Sequence, residues 1–390
     1  MKRTALQGSA FWGAAFMMAT SAMGPGFLTQ TSFFTGQLGA SFGFVILFSI
    51  VIDIVVQLNI WRIVSGCGLP AQDIVNRLLP GLGWLLSLLV FLGGLAFNIG
   101  NLAGAALGLQ VITGMDTRIA ALISAVLVIW LLVAPHARKR VDLAMIGLGI
   151  AKIGLTAYVA LVSGAPLAEA LHRSIQPETI DWKALITIVG GTVGGYICFA
   201  GAHRLLASGI AGPGTEKEVN RSAITGIFTA SSMRVLLFLA ALGVVSQGIQ
   251  LDNSNPAADV FLQAAGNIGY RLFGIVMWMA GISSVIGSSY TSISFVRNIH
   301  PVVTRHEKGV LAIFILFSTV VFLVAGKPVQ LLVWAGTVNG FILPFALLVL
   351  LLAVYSKKMP NNYQHPRWLG ITGLLIALAL GWISIRLLLL

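Results

Sequence analysis

Apolar residues run along this chain in long blocks, without the alternation of a strand or the one-sided stripe of a surface helix. The blocks cover 9–37, 41–61, 83–113, 119–135, 143–163, 184–211, 223–247, 272–296, 309–325, 329–354 and 368–389, with short polar segments between them. A helix needs ~20 mostly apolar residues to cross the hydrocarbon of a bilayer. The pattern therefore predicts an all-α polytopic membrane protein of about eleven transmembrane helices, forming one domain over 1–390. The longest connections, near 164–183 and 248–271, have room for a short surface helix.

Two blocks are interrupted. Span one contains Met23-Gly24-Pro25-Gly26-Phe27. Proline removes a backbone donor and clashes with the preceding turn, and glycine eases non-helical angles. Span six carries Gly190, Gly191, Gly194, Gly195 and Gly201 before His203. A single proline also makes a plain kink, but the pairing says more. The two interruptions are five spans apart, the spacing of two inverted repeats (about 9–163 and 184–354, with 368–389 as an extra helix). Breaks at matching positions of two halves mark the cargo site of a secondary transporter. Freed backbone groups are costly in lipid, so both breaks are expected to face the interior.

Composition agrees: 57% of residues are hydrophobic and 9% charged, too few charges to cover a soluble domain. The net charge of +12 is read as membrane orientation and not as nucleic-acid binding. With the N-terminus inside, sixteen of the 24 Lys and Arg residues fall in inside segments and six in outside ones, while Lys152 and Arg234 fall within spans. That bias places the N-terminus in the cytoplasm of a bacterial cell and the C-terminus outside. Met1-Lys2-Arg3 and the long first block do not read as a cleavable signal peptide. Cys67, in an inside loop, and Cys198, within span six, make no disulfide framework.

Several segments resemble the Nramp family of divalent metal transporters. Gly24-Pro25-Gly26-Phe27, followed by Gly39-Ala40-Ser41-Phe42-Gly43, is similar to the family's Asp-Pro-Gly-Asn break and its downstream Ser-Phe-Gly. The stretch Asn98 to Gly108 resembles a segment with two acids, and Gly201-Ala202-His203 falls where the family has Met-Pro-His. Ala280 to Tyr290 and Leu343-Pro344-Phe345 resemble runs in spans eight and ten. The resemblance implies a LeuT-like fold with helices one and six broken, and transport without a cofactor or enzymatic step. It also implies that Gly24 and Phe27 replace the metal-binding Asp and Asn, Gly201 replaces the Met, and Gly336 stands near a Gln. Asn98 and Asn101 replace the two acids linked to proton movement, and His203 survives.

A dication without a counter-charge is expensive near the bilayer centre. Glycine at 24, 201 and 336 is expected to vacate volume there. The residues so read favour an Nramp-like transporter of a small polar or anionic organic solute, bound around Gly24, Gly26, Phe27, Cys198, Gly201 and Gly336. The alternative is a divalent cation held by carbonyls, water and His203. Among coupling or gating candidates, His203 reads as a proton carrier or a packing histidine. Asn98 and Asn101 share one helix face and either line the route or bind helices together. Asp53 is the one acid well inside a span, and reads as functional or as paired with Lys152 or Arg234. The glycines at 190–201 lack the phosphate-loop pattern, and no HExxH or acid pair argues for an enzyme.

Overall fold

The computed structural model describes residues 23–133, 135–212, 214–297, 301–356 and 363–389, with side chains omitted at 135–148 and 301–302. The first half of the predicted span one lies outside the described residues.

Helix α1 (Pro25–Leu38) runs through a 3-10 turn at Gly39–Ser41 into α2 (Phe42–Cys67). As one rod this stretch would reach about 65 Å, roughly twice a hydrocarbon core. Gly39, at φ 53° and ψ −135°, ends α1 and divides it into two spans. There follow α3 (Ala71–Leu78), α4 (Leu82–Thr113), α5 (Thr117–Val133), α6 (Pro135–Val162) and α7 (Leu167–Ile175). Span six is α8 (Trp182–Thr192) plus α9 (Tyr196–Ala207). The chain continues through α10 (Glu216–Val245), α11 (Pro256–Val296), α12 (Pro301–Arg305), α13 (Glu307–Ala325), α14 (Pro328–Val354) and α15 (Arg367–Leu389). Each of the eleven expected spans has its helix, and α7 is the surface helix expected in the 164–183 connection, set at 104° to the end of α6.

Burial is inverted relative to a soluble protein. The rim of α15 presents Trp368, Ile371, Leu375, Leu378, Trp382 and Ile385 outward, whereas Thr29, Gln30, Thr31, Ser32 and Thr35 of α1 are fully buried. Lipid covers apolar side chains as well as a core does, so polar groups collect inside, where helices can satisfy them. Small residues set the close approaches. A Cβ on Gly104 would lie 2.0 Å from the Pro25 Cβ, and one on Gly281 would lie 2.7 Å from the Ala105 Cβ.

Three boundaries differ from the hydrophobic pattern. Helix α10 begins at Glu216, earlier than its apolar block, because its polar first turns still form helix. Helix α11 reaches back to Pro256 because a short helix over 256–265, in the connection with room for one, joins the apolar block across a kink at Gly266 (φ 63°, ψ −164°). Cys67, expected in a loop, is the buried last residue of α2. Helix α2 outruns its apolar block because partners await its polar end. Arg62 Nε donates to Asn220 Oδ1 at 2.6 Å, and the Asn59 side chain pairs with His365 Nε2 at 2.9 Å. Burial, with help from the Arg62 charge, pulls the His365 imidazole down to about 4, so it stays neutral near pH 7.

Candidate functional site

The site grows from the start of α1. Met23 and Gly24 are not helical, and Gly24 is extended at φ −72° and ψ −176°. Regular bonding begins where the Leu28 N–H reaches the Gly24 carbonyl at 3.4 Å. Gly104 of α4 leaves the space into which Pro25 fits. The side-chain direction of Gly24 points at Ser284 Oγ of α11, 2.9 Å from an ideal Cβ, and at Asn101 Oδ1, 3.5 Å away.

The second break is Val193–Gly195. Gly195 has φ 49° and ψ −123°, and a Cβ there would lie 1.5 Å from Asn339 Oδ1. Both conformation and space therefore demand glycine. Helix α9 restarts at Tyr196, whose ring meets Phe97 edge-on at 5.2 Å and whose hydroxyl lies near the Asn101 side chain. Asn101 thus lies near both breaks, and its Nδ2 is left without a partner.

Arg234 of α10 also reaches both breaks. Its guanidinium carbon lies 4.3 Å over the Phe27 ring, and Nη1 donates to Thr192 Oγ1 at 2.7 Å. It is 2% exposed, and Nε and Nη2 have no partner. Asp53 of α2 is fully buried on the other side of Thr192, within the electrostatic reach of Arg234 and Cys198. Neither carboxylate oxygen makes a well-formed hydrogen bond. Among the described residues the direct ion pairs are Arg173–Glu178 and Arg297–Glu307, so Asp53 and Arg234 face each other without contact. Lys152 pairs elsewhere: its Nζ donates to the Met23 carbonyl at 2.9 Å.

The glycines do not vacate volume as expected. A Cβ on Gly201 would lie 2.1 Å from the Trp61 ring, whose Nε1 donates to the Cys198 carbonyl at 2.9 Å. Gly336 is filled by Gln30 Nε2 and the Thr187 carbonyl, and Gly24 by Ser284. Larger neighbours have grown into the space that small residues release. Gly26 has only ordinary contacts. Asn98 binds helices together: it donates to Ser318 Oγ at 2.9 Å and accepts from Ser288 and Ser289. His203 stacks on Phe295 at 4.8 Å with Nε2 unpartnered. Among the described residues no group of three or more His, Cys, Asp or Glu forms a ready metal cage.

Sequence reasoning missed Gln30, Trp61, Ser284 and Asn339. Gln30 Oε1 and Asn339 Oδ1 are buried, unpaired and aimed at Gly191 and Gly195, respectively. An amide inside a long apolar block, as at Gln30 and Asn339, was the available signal. Clefts of about 350 and 450 Å³ flank the far end of α1 at Phe33 and Gln37.

Comparison with known proteins agrees with this architecture. A model of the natural resistance-associated macrophage protein-like family matches residues 15–390. The chain is 50% identical to the uncharacterized membrane protein YcsG of Bacillus subtilis, over 98% of this chain and 96% of that one. It is 22% identical to the divalent metal cation transporter MntH of Klebsiella pneumoniae, over 96% and 94% of the two chains. In structure it is similar to a mutant of the Eremococcus coleocola manganese transporter, with TM-score 0.68, 16% identity and coverage of 98% and 86%. It is also similar to MhsT in complex with L-phenylalanine, with TM-score 0.61, 16% identity and coverage of 96% and 98%. The fold is the LeuT-like one that the resemblance implied, and this integral membrane chain belongs to the Nramp family.

Proposed function

We propose that the chain carries a divalent metal cation across the membrane by alternating access, the cargo passing between the start of α1 and the α8–α9 break. The observation that carries the reading is the likeness to divalent metal cation transporters over nearly the whole of both chains. This is the second of the two cargo readings above; the relatives lend nothing to an organic solute. The geometry supplies what the metal reading lacked. Asp53 places a carboxylate beside the α8–α9 break, and Gln30 Oε1 and Asn339 Oδ1 add unpaired oxygens along it. Oxygen donors suit manganese or magnesium more than softer ions. The Met23 carbonyl is already taken by Lys152 and is not counted among the ligands. In this reading 9–163 and 184–354 are the two halves that rock, with the N-terminus inside a bacterial cytoplasmic membrane.

Titration calorimetry of the purified protein against manganese, magnesium and small carboxylates tests the cargo. Micromolar manganese binding is the expected result, and tight carboxylate binding without manganese binding overturns it. One observation favours a small anionic solute as the second reading. Arg234 Nε and Nη2 and Asn101 Nδ2 are buried donors without acceptors, near the N-terminus of α1. Such an array recognises a carboxylate.

Gly24→Asp is expected to raise manganese affinity about tenfold, ~1.4 kcal/mol. It sets a carboxylate at a helix N-terminus facing Asn101. Unchanged affinity by calorimetry in a folded variant would count against placing the cargo at this break.

A further inference from the structure

Lys152 is 7% exposed in the middle of the bundle, and the one hydrogen bond it makes among the described residues goes to a carbonyl, not to a carboxylate. An unpaired ammonium within a membrane protein is costly to keep. That carbonyl belongs to Met23, in the non-helical pair that precedes α1. A carbonyl released from helical bonding at a break is where a free cation would sit. Here the cation is tethered to α6.

Among the described residues no acid pairs with it. Helix α1 has no charged residue. Of the elements packed on α6, α5 brings Arg118 at its exposed start. Helix α10 brings Arg234 in its middle and Glu216, Lys217, Glu218 and Arg221 in its first two turns. Helix α11 brings Asp259, which bonds Gln263, and Arg271. The fully buried Asp53 faces Arg234 instead.

We propose that Lys152 is the coupling residue of the transport cycle. Its ammonium stands in for a co-transported cation and pins the break of α1. Loss of the proton to the water on one face frees the Met23 carbonyl and lets α1 move. Return of a proton from the other face pins it again, so that one proton crosses per cycle. An amine that has lost its proton keeps one lone pair and no charge, and binds a carbonyl far more weakly than an ammonium does. The proposal rests on the break as the moving part and not on the identity of the cargo.

Hydrogen exchange of full-length protein in nanodiscs, corrected for the intrinsic pH dependence of amide exchange, reads the pin without any cargo. Between pH 6 and pH 10 the amides of Phe27–Thr31 are expected to lose protection at least tenfold in the wild type. In Lys152→Arg they stay protected throughout, and in Lys152→Met they are exposed at both values. Since Lys152→Arg retains the charge and the fold, it decides if Lys152→Met does not fold. A wild-type profile in Lys152→Arg would overturn the proposal. In proteoliposomes, manganese uptake driven by a proton gradient is expected to drop to simple equilibration in Lys152→Arg. Concentrative uptake by that variant would overturn the proposal too. Absence of manganese uptake in every form, with the exchange result intact, would instead strike the cargo reading.

Discussion

Gly190→Leu is expected to prevent assembly of the bundle. A Cβ at Gly190 of α8 would lie 2.1 Å from the Gly336 carbonyl oxygen, 2.3 Å from the Gly340 nitrogen and 2.7 Å from its Cα. The contact is mutual, since a Cβ at Gly340 would lie 2.3 Å from the Ile186 carbonyl oxygen. Between these glycines the Thr187 and Thr337 hydroxyls meet at 2.7 Å. The two backbones touch directly, so no flexible side chain is present to yield. Overpacking a core costs about 1–3 kcal/mol when neighbours can shift. Here α8 and α14 must separate, and with them the Gln30 bond to the Leu332 carbonyl, so a loss above ~3 kcal/mol is expected. Thermal unfolding in detergent checks it: Gly190→Ala should fall well below the wild type, and Gly190→Leu should yield no monodisperse protein. A leucine variant unfolding within a few degrees of the wild type would show that α8 and α14 are not in backbone contact.

The same region shows what could be read from the chain beforehand. The break at 193–195 was legible because five glycines crowd into a dozen apolar residues, and only a non-helical or closely approached backbone gives them purpose. The start of α1 was legible for the same reason, through Gly24-Pro25-Gly26. The number of spans followed from hydrophobic length alone, whereas the ends of α2, α10 and α11 did not. Partnerships across the bundle did not, because membrane helices carry little amphipathic phase from which to read a facing neighbour. Asp53 reads from the sequence as functional or as paired with Lys152 or Arg234. It lies across Thr192 from Arg234, while Lys152 turns to the Met23 carbonyl. Trp61 filling the space at Gly201 was invisible for a related reason. A glycine in sequence tells of a missing side chain, and only the assembled helices tell which neighbour has moved in.

Asp53→Asn is expected to lower manganese binding and uptake about 100-fold, ~2.7 kcal/mol. The amide has nearly the shape of the carboxylate, so packing around it is kept. The change removes a single negative charge at a fully buried point beside the α8–α9 break. In the empty protein Arg234 answers that charge from a distance, bonded to Thr192 and resting on Phe27 and not on Asp53. A divalent cation in contact with the carboxylate would outcompete an arginine that does not touch it, since attraction rises steeply as separation shrinks in a poorly polarisable interior. With asparagine in its place, the ion meets only neutral oxygens and still feels the positive guanidinium, so both terms turn against it. The stability of the empty variant should shift far less than its affinity, which separates this effect from misfolding when calorimetry and thermal unfolding are run on one preparation. If Asp53→Asn binds manganese like the wild type, the metal has no need of the acid. If Arg234→Met alone abolishes binding, and of carboxylates only, the unpaired guanidinium nitrogens are the true receptor, and the cargo is the anion they were left free to hold.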